Sequence, residues 1–205
     1  MMSKFDEQIL VVPRQQVFKD EADAFNGFIS KEDPRYARIL SAFNDYKVKR
    51  RGDMEEDPTY KQLISYAVIT AGEETLVYKR LEGGGEDRLH GLLSIGVGGH
   101  MNDVPETGAI NEKLFINAAR ELEEEVGLQE DALEGIEVMG LINDDEDEVG
   151  RGHIGVVFKV EVDKDKVHAR EEDTLELVWK DRSLLPKMKP YESWSELIIR
   201  DAYGQ

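Results

Sequence analysis

The stretch Ala119-Arg120-Glu121-Leu122-Glu123-Glu124-Glu125-Val126-Gly127-Leu128 decides the reading of this chain. A glutamate, Glu112, stands eight residues before the arginine. In a helix, Glu121, Glu124 and Glu125 fall at i, i+3 and i+4 and share one face. Phe115, Ala119, Leu122 and Val126 fall at core-facing spacing on the other. Gly127 supplies the left-handed position that stops a helix, and Leu128 follows as an apolar cap contact.

Three carboxylates on one turn repel. A like-charge pair ~6 Å apart costs roughly 3 kcal/mol at an effective dielectric of 20. On a fully solvated helix the same pair costs only about a few tenths of a kcal/mol. A divalent cation turns the repulsion into attraction, and hard Mg²⁺ prefers such oxygen donors together with substrate phosphate oxygens. An acidic solvated helix face is the plainer reading, because glutamate is a good helix former. The arginine and glycine at fixed offsets argue against it.

From Glu112 onward the pattern resembles the Nudix box, Gly-x5-Glu-x7-Arg-Glu-U-x-Glu-Glu-x-Gly-U, with U a bulky apolar residue. Its opening glycine belongs six residues before Glu112, where Glu106 stands. A Gly98-Gly99 pair lies further upstream, after the strand-like run 92–97, so the loop reads as lengthened by residues 102–108. The resemblance implies an α/β fold, a Nudix-type α/β/α sandwich with a mixed β-sheet, over residues 61–205. It also implies hydrolysis of a nucleoside diphosphate derivative, with Mg²⁺ or Mn²⁺ as cofactor. Carried over residue by residue, Glu121, Glu124 and Glu125 become metal ligands and Glu112 a weaker outer participant. Arg120 ties down the carboxylates, and Gly98 or Gly99 completes the metal shell through its carbonyl. Relatives often place a general base before the last strand, which here suggests Glu171 or Glu172; a solvated surface pair is the competing reading. The segment 85–91 running into 94–100 further resembles a bacterial Nudix subgroup described as predicted phosphoesterases.

Composition bounds the partners. The 205 residues carry a net charge of −18, with 34% charged and 40% hydrophobic. That field argues against a nucleic-acid polymer or an anionic membrane as partner. It leaves a small phosphorylated substrate, whose long-range repulsion local cations must offset. Zero cysteines exclude disulfides and thiol nucleophiles. The N-terminus reads as neither signal peptide nor membrane span, so the expected location is cytoplasmic.

Residues 1–60 read as an N-terminal extension that packs on the core or on a second subunit, a homodimer being one expectation. Within it, 8–12 is strand-like, Asp33-Pro34 starts a helix with Ile39, Leu40 and Phe43 as its stripe, and 47–57 is a charged connector. Beyond it, 65–70 and 75–78 form a hairpin, 136–142, 153–162 and 175–180 are strands, and 191–203 is a closing helix.

His100, beside the glycine pair, could ligate metal or bind phosphate, and His153 has a similar but less supported role. Lys79, Arg80 and Arg88 are candidate phosphate cations near the sheet, with surface solvation as the plainer reading of each. The acidic run 144–148 competes as a source of a base or further ligand, with a solvated hairpin tip as its plain reading. Trp179 and Trp194 read as core. Two other functions fit the scaffold. An isopentenyl diphosphate isomerase would need a cysteine that this chain lacks. A ligand sensor without catalysis commonly loses the box glutamates, which are all kept here.

Overall fold

A computed structural model describes residues 4–80, 91–105, 107–128, 130–167 and 175–204. Among them the strands run β1 (Gln8–Pro13), β2 (Gly27–Ser30), β3 (Lys47–Arg50), β4 (Tyr60–Ala71), β5 (Glu74–Arg80), β6 (Leu93–Ser94), β7 (Gly96–His100), β8 (Leu133–Asn143), β9 (His153–Val162) and β10 (Leu175–Asp181). The helices are α1 (Arg14–Val17), α2 (Tyr36–Ala42), α3 (Arg51–Met54), α4 (Ile110–Val126) and α5 (Ser193–Ile198), the last continuing as a wider turn through Ile199–Tyr203. No described helix is long and apolar enough to cross a membrane.

β4 organises the sheet. Its interior is buried on both faces, as a near-continuous run of apolar and β-branched residues demands. It runs parallel to β9 from Gln62 opposite His153 to Thr70 opposite Glu161. Its other edge is divided among three antiparallel partners: β1 at Tyr60–Gln62, β7 at Ile64–Val68 and β5 at Thr70 and Ala71. The main path is β10-β5-β4-β9-β8-β2, a mixed sheet.

Period-two alternation sends side chains to two cores. Leu63, Ala67 and Ile69 of β4 join Ile154, Val156, Phe158 and Val160 of β9 beneath α4. Tyr66, Val68 and Val157 face the opposite layer, where Ile198, Ile199 and Trp194 pack. The result is the expected α/β/α sandwich. α4 buries Ile110, Leu114, Leu122 and Val126, each at 4% exposure or less. At about 1.5–3 kcal/mol per large aliphatic residue, these contribute at most ~6–12 kcal/mol.

Several expectations need correction. Ala119 is exposed and Ala118 takes the core position, because the stripe follows 110-114-118-122 rather than the row through Phe115. Phe115 still packs edge-on against Phe158. The connector expected at 47–57 holds β3 and α3; β3 is charged because, among the described residues, it pairs with β1 alone and is largely solvated. Gly98 and Gly99 lie inside β7, not beyond a strand. A Cβ at Gly98 would sit 1.8 Å from the Ser65 carbonyl oxygen, so only glycine permits this pairing. The N-terminal 60 residues build into the same sheet through β1 and β2. They also place Leu10, Val12, Phe18, Ile39 and Phe43 in the core beneath α4.

Candidate metal and phosphate site

α4 ends as its sequence dictates. Gly127 adopts φ +64°, its N–H donates to the Glu123 carbonyl, and Leu128 N–H reaches back to Leu122. The Gly127-to-Glu123 bond is that of an αL helix stop, with Leu128 buried beside it. The interior of α4 places Glu121 against β7. A Cβ built on Gly99 would lie 2.5 Å from Glu121 Oε2, so the carboxylate occupies the space where any other residue would carry a side chain.

Arg120 binds this region together. Its guanidinium pairs with Glu121 Oε1 at 2.7 Å and with Glu124 Oε2 at 3.0 Å, and it donates to the His100 carbonyl at 2.9 Å. Burial pushes the Glu121 carboxyl up to about 7; Arg120 opposes that rise, and the Glu124 and Glu125 charges add to it. Glu124 is exposed and Glu125 half-buried on the same helix face. Among the described residues no three acid or imidazole side chains converge on one point. The arginine stands between two of the acids and relieves their repulsion. A hard divalent cation suits the donor set: a buried carboxylate held at elevated pKa, two more acids one turn away, and a strand that only glycine lets approach so closely.

Glu112 is not brought to this cluster. It sits about 13 Å along the axis from Glu121 at 1.5 Å per residue, where it accepts a hydrogen bond from Thr107 Oγ1. The rings of His100 and His153 are also turned away. Gly99 faces α4, so the next residue of β7 projects to the other face, where His100 Nε2 meets Gln62 Oε1 at 2.8 Å and His153 Nε2 at 3.2 Å. Burial lowers the His100 pKa to about 2, and that of His153 falls for the same reason. Arg80 closes β5 opposite Leu175. Arg88, Glu171 and Glu172 lie outside the described residues.

The acidic run is more than a solvated tip. Asp144 is buried and accepts from Glu146 N–H and Asp147 N–H. Asp145 is held by both Arg14 nitrogens and by the fully buried Lys61. Burial works to raise the Asp145 pKa, but the hydrogen bonds from Arg14 and Lys61 overcome it and hold the carboxyl well below the usual range. Asp145 is therefore committed to cations of the protein itself.

Two residues essential to the site's frame escape a reading by apolar periodicity. Asn117, fully buried on α4, holds both the N–H and carbonyl of Asn102. Lys113, also buried, pairs with Asp103 at 2.7 Å. Together they fasten the segment after β7 to the helix. A polar residue flanking the 114-118-122 stripe, three residues after Leu114, is the signal that marks Asn117.

No family model matches the chain. It is 43% identical over 203 residues to Protein YmaB of Bacillus subtilis, covering 97% of this chain and 98% of that one. The crystal structure of Tm1382, assigned to the Nudix hydrolases, superposes with a TM-score of 0.74 at 31% identity, over 93% of this chain and 95% of Tm1382. The chain belongs to the Nudix superfamily. The MutT Nudix hydrolase of Burkholderia pseudomallei shares the fold at 18% identity and a TM-score of 0.52, over 69% of this chain and 98% of that one. So does the Nudix domain of Shewanella oneidensis NrtR, solved with ADP ribose, at 19% identity and a TM-score of 0.50, over 70% and 87%. Nudix hydrolases as a class cleave pyrophosphate linkages and generally use divalent metals.

Proposed function

We propose that this Nudix protein hydrolyses a diphosphate linkage in a nucleoside diphosphate derivative or a related phosphorylated metabolite. In this reading Mg²⁺ or Mn²⁺ is held by Glu121, Glu124 and Glu125. The observation that carries it is the Glu121 carboxylate seated in the space of the absent Gly99 side chain, with Arg120 spanning Glu121 and Glu124. A buried anion in that place, with two further acids beside it, gains most from a doubly positive neighbour. When bound, the cation supplies charge against the phosphate oxygens and lowers the pKa of water. The chain's own part is positioning. Arg120 fixes the direction of two carboxylates and ties α4 to the end of β7, while Asn117 and Lys113 set the approach of the intervening segment. Glu171 or Glu172 is the proposed proton acceptor.

The test is a substrate panel of dinucleoside polyphosphates, nucleotide sugars including ADP ribose, coenzymes and (d)NTPs, run with Mg²⁺ and with chelator. Phosphate or nucleoside monophosphate should appear only with metal. Glu124→Gln should lower kcat/KM by about 100-fold or more, equal to ~2.7 kcal/mol of transition-state stabilisation. Turnover indifferent to both changes would end this reading, and tight binding without turnover would favour a sensor.

A further inference from the structure

On the sheet face opposite Glu121, two imidazole Nε2 atoms and an amide oxygen from adjacent strands meet, with His100 Nε2–H donating to the other two; loss of that one proton would leave three lone pairs facing one another. Gln62 of β4 stands between His100 of β7 and His153 of β9. His100 Nε2 lies 2.8 Å from Gln62 Oε1 and 3.2 Å from His153 Nε2. Two metal–ligand bonds of about 2.1 Å whose ends are that far apart enclose roughly 85–100°, within the range of four- to six-coordinate sites.

The surrounding bonds orient these groups toward one another. His153 Nδ1 contacts the Val149 carbonyl at 2.6 Å and must donate to it, leaving the Nε2 lone pair directed at His100. A carbonyl on the far nitrogen is the usual support of a ligating histidine. The Gln62 amide nitrogen donates to the Met54 carbonyl, which turns the amide oxygen toward the imidazoles. Gln62 is 1% exposed and His153 7%, whereas His100 is partly exposed and leaves a path for an ion. The local charges are balanced. Arg51 is paired with Glu7 and Glu55, and Lys61, which donates to the His153 carbonyl, is paired with Asp145.

We propose that Gln62, His100 and His153 form a metal site separate from the α4 carboxylates, selective for a borderline divalent ion such as Zn²⁺ or Co²⁺. Two nitrogens and one neutral oxygen suit those ions and make a poor site for Mg²⁺. An ion there would clip β7, β4 and β9 together beside α3, making it a structural rather than a hydrolytic centre.

The experiment uses the full chain, stripped with EDTA and held in saturating Mg²⁺ so that the carboxylate site is occupied. Co²⁺ is titrated while calorimetry and visible d–d absorption are recorded, and Zn²⁺ is titrated against ¹⁵N-histidine spectra. Expected are one equivalent of Co²⁺ and movement of the His100 and His153 Nε2 resonances on adding Zn²⁺. His153→Gln should abolish the uptake and Glu124→Gln should leave it intact. No uptake in saturating Mg²⁺, or unmoved imidazole resonances in the unmutated protein, would overturn the proposal and leave a proton-bridged pair only. Uptake lost in Glu124→Gln but kept in His153→Gln would equally overturn it. Failure here leaves the hydrolase reading untouched, since its readout is Mg²⁺-dependent turnover.

Discussion

Replacing Gly99 by alanine would place a methyl group 2.5 Å from Glu121 Oε2 and 2.7 Å from both its Cδ and Oε1. Ordinary van der Waals contact begins at 3.4 Å, so the carboxylate must retreat by about 1 Å. Gly99 is not among the glycines with positive φ, so alanine meets no backbone strain and the effect is confined to the acid. A misplacement of about 1 Å in a reacting constellation can cost 100-fold, or ~2.7 kcal/mol. Stability should barely change, because the stiffer unfolded chain contributes about 0.4–1 kcal/mol in alanine's favour against the local crowding. The primary assay is Mn²⁺ affinity by electron paramagnetic resonance, which requires no substrate. G99A should bind Mn²⁺ about 10- to 100-fold more weakly, as expected when a ligand is displaced rather than removed. Hydrolysis of the best substrate in the panel should fall at least in parallel, with Tm held. Gly108→Ala, which meets nothing within 4 Å, is the matched control. Unchanged Mn²⁺ affinity and turnover in G99A would refute the claim that Glu121 works from the space beside Gly99.

Other perturbations test the frame. Asp145→Asn should be less stable than the unmutated protein at neutral pH by about 2 kcal/mol, since it leaves the buried Lys61 without its carboxylate. The folded carboxyl titrates below the unfolded one, so its contribution is present above the usual carboxylate range and is lost as pH falls below about 4. Urea unfolding across pH should therefore show the gap between the two proteins narrowing toward acid. Gly155→Ala drives a methyl to 2.6 Å from both Trp194 and Ile142 and should cost about 1–3 kcal/mol by overpacking, read as a lower Tm. With a net charge of −18 and an anionic substrate, kcat/KM should rise as added salt screens the repulsion; a falling value would indicate a local cationic funnel.

The helix of the site was legible because two independent patterns coincide in it, a 3.6-residue apolar row and a glycine stop. The long strands β4, β8 and β9 were legible because their apolar runs exceed what a loop would carry. What stayed hidden depended on neighbours. β2 and β3 are four residues each and take their strand character from β8 and β1. The orientation of His100 depended on whether Gly98 and Gly99 lie in a strand or a turn; once they are in β7, consecutive residues must diverge. Asp145 looked solvated because Arg14 and Lys61 are far from it in sequence.

The pairing of β2 with β8 has a consequence for biosynthesis. Ser30 finds its partner only at Gly140, about 110 residues later. At roughly 5–20 residues per second on the ribosome, the first part of the chain emerges some 5–20 s before that partner does. During that interval Ile29 lacks Leu141, its neighbour across the pairing, and an unpaired apolar strand of this kind is open to mispairing.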